Sequence, residues 1–244
     1  MSLCAVNTHE YEVDIKKLME RRLKQVNFKP CLEGDDERTV QADIENDKDM
    51  DKWCSALSRV LLHDLAHFEL AKITDELPLE LEEKEEVLVE AVRNSKNVVG
   101  YNSIKKMLLA HFEENDTLNA EGFIHFRMQD IKHKWEECVN MAMHEFAVKN
   151  EYLELMSVWA SFAQLQPSRV REINVILHPD GSCTLTDDTD SRIDCERCTF
   201  DGIVSVLVGL APEHITVYDM SGGQSRGVAE LLMRVFEDRV RFYK

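Results

Sequence analysis

Apolar residues recur every three to four positions through the first two thirds of the chain, then every second position soon after residue 169. The first spacing predicts helices and the second predicts strands. Ile15, Leu18, Met19, Leu23 and Val26 mark a helix over residues 9–26. Trp53, Leu57, Val60, Leu61, Leu65 and Phe68 share one stripe and mark a helix over 53–77, which Pro78 stops. Charged amphipathic helices follow over 80–92 and 102–114, and Asn115-Asp116 marks a turn. A long helix over 120–149 carries Ile124, Met128, Ile131, Trp135, Cys138, Val139, Ala142 and Phe146 on one face, and the chain continues helically over 151–166 until Pro167 stops it.

The period then changes. Ile173, Val175 and Leu177 alternate with polar residues, His178-Pro179-Asp180-Gly181 is a tight-turn sequence, and Cys183 and Leu185 alternate again. This predicts a β-hairpin. An apolar helix over 200–210, a strand over 215–218, a glycine-containing loop over 221–225, a helix over 226–237 and a strand over 239–243 complete the chain. Strands alternating with helices imply parallel pairing through crossovers, and the hairpin makes the sheet mixed.

Residues 28–50 break the helical pattern. Pro30 and Gly34 interrupt it, and nine acidic residues between Glu33 and Asp51 face only Arg38 and Lys48. This reads as a solvated loop with an edge strand over 39–44. A second short strand is expected over 3–6. The fold class is mixed α+β: a mainly helical region, 1–168, packed with a small ββαβαβ mixed-sheet unit, 169–244. Alternatively, the two early strands join that same sheet, giving one domain with a helical insertion.

Charge narrows the partners. The chain carries 46 acidic against 29 basic residues, a formal charge of −17. Without a long Lys/Arg run, nucleic acid and anionic membrane are not expected partners. No run approaches the ~18 apolar residues of a membrane span. The start of the chain lacks the basic and apolar regions of a secretory signal, and the seven cysteines are odd in number and irregularly spaced. Both point to free thiols in a reducing, cytoplasmic setting.

Glu121-Gly122-Phe123-Ile124-His125-Phe126-Arg127-Met128 is the most distinctive run. It resembles the EGFINFRL helix start of the sporulation-linked family called YtxC. Residues 57–69, with a small residue, an Asp and then an acid, resemble an earlier helix of that family. Residues 172–187 resemble its hairpin, and the stretch from Ile215 through Val235-Phe236-Glu237-Asp238-Arg239-Val240 resembles its closing strand-helix-strand. His125 and Met128 depart from the family run. The resemblance implies a cytosolic protein of endospore-forming bacteria. It implies no catalytic residue and no cofactor.

Three constellations carry candidate chemistry. Met220-Ser221-Gly222-Gly223-Gln224, followed by Ser225 and Arg226, looks like the LSGGQ signature of ABC transporter ATPases. A strand, a glycine loop and a helix start offer N–H groups to an anion. The phosphate-holding G-x-x-x-x-G-K-[ST] loop is missing, so an anion-binding loop is the most this motif supports. Cys195-Glu196-Arg197-Cys198 is a single CxxC pair, short of the ligands a structural zinc site needs. His63-Asp64-Leu65-Ala66-His67 has the spacing of a zincin helix with an Asp in place of the Glu. Asp64 falls near the middle of an apolar stripe, so it needs a cationic partner. Arg127, flanking the stripe of the long helix, is the expected one. These readings favour a non-enzymatic interaction or regulatory protein with a protein partner. The alternative is a ligand-binding protein or enzyme built on the loop at 220–225.

Overall fold

The computed structural model describes residues 2–34, 36–193, 200–222 and 226–243. They form two compact units, Met1–Ala147 and Val148–Lys244. The expected boundary lay at residue 168, after the long helix. The units instead divide within that helix, because Met156 and Ala163 belong to the core of the second unit.

In the first unit the chain runs β1 (Ser2–Asn7), α1 (Ile15–Gln25), β2 (Thr39–Ile44), α2 (Asp47–Arg59), a π-helical turn (Val60–Asp64) and α3 (Ala66–Asp75). It continues through α4 (Leu81–Ser95), α5 (Tyr101–Glu114), β3 (Thr117–Asn119), α6 (Ala120–Arg127) and the beginning of α7 (Gln129–Leu165). The two early strands do not join the C-terminal sheet. They form their own, in the order β2-β1-β3, with β1 antiparallel to β2 and parallel to β3. Cys4, Val6, Val40, Ala42, Ile44 and Leu118 enter one core with the helices, so this sheet buries one face against them.

Local chemistry sets the helix ends. The side chain of Asn46 accepts hydrogen bonds from the amides of Lys48 and Asp49, so α2 begins at Asp47, ahead of the apolar stripe. Glu80 and Glu83 form a reciprocal capping box at the start of α4. The stripe expected over 53–77 is split by the π-turn, where the Leu65 amide bonds the Val60 carbonyl at 2.9 Å. The wider turn absorbs one extra residue and shifts the faces that follow.

The second unit holds the rest of α7, then β4 (Val170–Leu177), β5 (Cys183–Asp187), β6 (Arg192–Ile193), α8 (Phe200–Leu210), β7 (Pro212–Asp219), α9 (Arg226–Phe236) and β8 (Val240–Tyr243). The sheet order is β6-β5-β4-β7-β8, with β4, β7 and β8 parallel and the hairpin antiparallel. The chain is mixed α+β, as its periodicity predicts. Ile173, Val175, Leu177, Ile215 and Val217 form one sheet face, packed with Val204 and Leu207 of α8 and Leu232 and Val235 of α9. The opposite face is polar and aromatic. There the Thr216 hydroxyl donates to Glu172 at 2.8 Å, and Tyr218 stacks on Tyr243 with centroids 5.7 Å apart.

Candidate functional site

Asp64 lies at the end of the π-turn with its side chain 8 % exposed, and it is held by cations as its position demands. The partners are on α1. Arg22 donates Nε to Oδ2 at 2.7 Å and Nη2 to Oδ1 at 2.9 Å, and Arg21 donates Nη2 to Oδ1. The expected partner, Arg127, is exposed and makes no ion pair among the described residues. Arg127 ends α6 among the exposed residues from His125 to Arg127, while the π-turn presents Asp64 to α1. Gln25 Oε1 accepts from both Arg22 and Arg59, and Arg59 lies over the Tyr101 ring at 5.7 Å.

A second polar cluster surrounds the Glu121 run. Asn119 caps α6, accepting from the Gly122 amide at 2.7 Å. A β-carbon on Gly122 would come within 2.9 Å of that same Asn119 oxygen, so any larger residue there makes the capping side chain shift. The buried Glu121 turns back toward the N-terminal segment. Its Oε1 accepts from three consecutive amides, His9 at 2.8 Å, Glu10 at 3.0 Å and Tyr11 at 3.2 Å. Its Oε2 accepts from Asn119 at 3.2 Å. A run of amides aimed at one carboxylate is an anion nest, filled here by the protein itself.

Tyr11 extends the cluster. Its hydroxyl donates to the buried Glu69 at 2.6 Å, and its ring stacks on Phe68. Burial, then the bond to Glu69, pushes its phenol well above the ordinary range, so it stays protonated. Lys72 lies 2.7 Å from Glu10 and 3.5 Å from Glu69, with its ammonium over the Tyr11 ring. Its bond to Glu10 raises the Lys72 pKa and lowers that of Glu10. Lys132 completes the set, 3.6 Å from Glu69. Glu10, Glu69, Lys72, Glu121 and Lys132 line a cleft of about 450 Å³, together with His125 and Phe126. Phe126 is 75 % exposed.

The carboxylates here are engaged by fixed donors. Glu121 binds backbone, and Glu69 binds a phenol and two ammonium groups. The arrangement clamps the segment after β1 onto α3 and α6. The apolar stripe shows that Asp64 needs a cation, and the Glu121 run stands out by composition. Neither reveals Tyr11, Glu69, Lys72, Lys132, Arg21 or Arg22. The acid at Glu69, on the same helical stretch as Asp64, was the one available signal.

The other candidates stand apart. Ser221 is buried, and both its amide (2.9 Å) and its hydroxyl (2.5 Å) donate to the Asp219 carboxylate. Gly222 has a positive φ of 66°. Gly223, Gln224 and Ser225, and the side chain of Arg226, lie outside the described residues, as do Cys195 and Cys198. Among the described residues no group of three His, Cys, Asp or Glu side chains is placed to hold a metal ion. No helix among them is long and apolar enough to cross a membrane.

A model of the YtxC-like family matches residues 43–241. The chain belongs to the YtxC-like family. The match includes Asp64, Glu69 and the whole Glu121 run, while Tyr11, Arg21 and Arg22 precede it. The YtxC-like region is therefore held in part by side chains outside the matched segment. No curated protein and no solved structure matches the chain.

Proposed function

We propose that this is a cytoplasmic, non-enzymatic interaction protein used in sporulation, and that it docks a protein partner over the cleft edge at Phe126. Family membership suggests the sporulation-related role. The observation that carries the docking surface is Phe126. It is a large apolar side chain left 75 % exposed, in the middle of the family-like run, beside a cleft whose charges already satisfy one another. An exposed aromatic flanked by an exposed Arg127 has the make-up of a protein-binding hot spot. The alternative, an anion site at residues 220–225, is disfavoured by the Asp219 carboxylate, which takes the Ser221 amide and hydroxyl.

The experiment is affinity capture from sporulating cells with the wild-type chain and the Phe126→Asp variant. A protein partner retained by the first and lost by the second, with unchanged circular dichroism, supports the reading. Equal capture by both overturns the Phe126 surface. A co-purifying small molecule without a protein partner overturns the interaction role.

A further inference from the structure

The last eighteen residues of α7 bury one face and leave another apolar face open. Met156 and Ala163 enter the core of the second unit, and Trp159 packs partly against it. Beside that face stand Val148, Tyr152, Leu155, Val158, Phe162 and Leu165, all between 42 and 84 % exposed. The stripe has a register. Val148, Leu155 and Phe162 recur every seven residues, and Glu151, Val158 and Leu165 repeat the interval, so the seam is apolar at every position but one. Sevenfold recurrence keeps an apolar seam facing a second helix along its length.

The spacing is compatible with a second copy of the same helix. Val148, Leu155, Val158 and Leu165 are separated by seven, three and seven positions, which reads the same from both ends. Tyr152 and Phe162 lie four and three positions in from those ends. The first four positions superpose on themselves when a copy is turned end over end about an axis between Met156 and Ser157, while Tyr152 and Phe162 fall opposite Ser161 and Glu151. Val148 then faces Leu165 of the other copy, and Leu155 faces Val158. This is the isologous contact of a two-fold dimer.

Charge favours the same pairing. Residues 155–168 contain no charged side chain, in a chain of net charge −17. The charged residues of the stretch, Lys149, Glu151 and Glu154, all lie in its first half. In an antiparallel pair they run beside Gln164, Phe162 and Trp159 of the other copy, and no like charges meet. A parallel pair would set each glutamate beside its twin. The seam is about 26 Å long. Six half-open side chains on each copy offer on the order of 1,200 Å² in total, which reaches the lower bound for a stable interface.

We propose that the C-terminal half of α7 is a homodimerisation seam, pairing antiparallel with α7 of a second copy. Sedimentation of the full chain at micromolar concentration should give twice the 28.2 kDa monomer mass. Leu155→Glu and Phe162→Glu, both at exposed positions, should each weaken the dimer about a hundredfold, with helicity unchanged. For orientation, chains carrying Leu155→Cys and Val158→Cys are mixed in a background with Cys31→Ser, Cys195→Ser and Cys198→Ser, which removes the exposed thiol among the described residues and the two thiols outside them. A 155–158 disulfide forming ahead of 155–155, mapped by mass spectrometry, supports the antiparallel seam. A monomeric wild-type chain overturns the proposal, whether its seam is open or covered by its own chain. A dimer that survives both glutamate substitutions, or one that cross-links 155 to 155 first, also overturns it.

Discussion

Arg22 holds both oxygens of Asp64, Nε to Oδ2 at 2.7 Å and Nη2 to Oδ1 at 2.9 Å, joining α1 to the π-turn between α2 and α3. Both side chains are largely shielded from water, so the pair acts in a setting where charge-assisted bonds are strong. Asp64→Ala should destabilise the protein by about 2 kcal/mol, because it strands a guanidinium and removes its bonds. Arg127→Ala should stay within about 0.5 kcal/mol of wild type, as an exposed substitution. Urea denaturation of the single and double variants separates the two. Coupling of Asp64 to Arg127 instead of Arg22 would contradict the assignment.

Glu121 gathers three amides of the segment after β1 onto one oxygen. Glu121→Ala leaves those amides without their acceptor and should cost about 2–3 kcal/mol. Glu121→Gln keeps a carbonyl oxygen in the nest and should cost about half as much. Amide hydrogen exchange at His9, Glu10 and Tyr11 gives a local readout. Those amides should exchange faster in the alanine variant, and unchanged protection would show that something else secures the segment.

His63 supplies a pH dependence. Burial, then the nearby charges of Arg22 and Arg59, lower its pKa, with Asp64 opposing them. The unfolded imidazole titrates near 6.5. Between that value and the lower folded one, the unfolded chain binds more protons than the folded chain. Stability therefore falls as pH drops through 6.5, and the contribution is fully present above it. His63→Gln should show a shallower loss than wild type as the pH falls from about 7.5 to about 5.5. Parallel pH profiles would rule His63 out as the titrating group.

Two glycines should respond in opposite directions. Gly181, in the hairpin turn, holds a φ of 80° with open space around it, so Gly181→Ala should cost about 1 kcal/mol through backbone strain alone. Gly209 lies within α8, with open space where a β-carbon would stand and no positive φ. Gly209→Ala should stabilise by about 0.5–1 kcal/mol. Thermal melts of the two variants should move to opposite sides of wild type.

The hairpin of β4 and β5 was legible because alternation and a four-residue turn signal are both local. The helices of the first unit were legible from their stripes. Three features were not. β3 is three residues long, too short to show a period. The break between α6 and α7 falls at Met128, which stays buried, so the apolar stripe runs on across it. The π-turn at Val60–Asp64 adds a residue without changing composition. The candidate site failed for a related reason. A carboxylate on an apolar stripe announces that it needs a cation, but its partner comes from a helix some forty positions away, and no local rule selects Arg22 over Arg127.

The first strand also has a consequence for synthesis. β1 is the middle strand of its sheet, and its parallel neighbour pairs Ala5 with Thr117. A ribosome adds about 5–20 residues per second, so on the order of ten seconds separates the two strands. During that interval β1 can pair with β2 alone, leaving its other edge open to any passing strand. A translational pause before residue 119 would prolong that exposure, and a chaperone or a neighbouring nascent chain would meet the edge that β3 later closes.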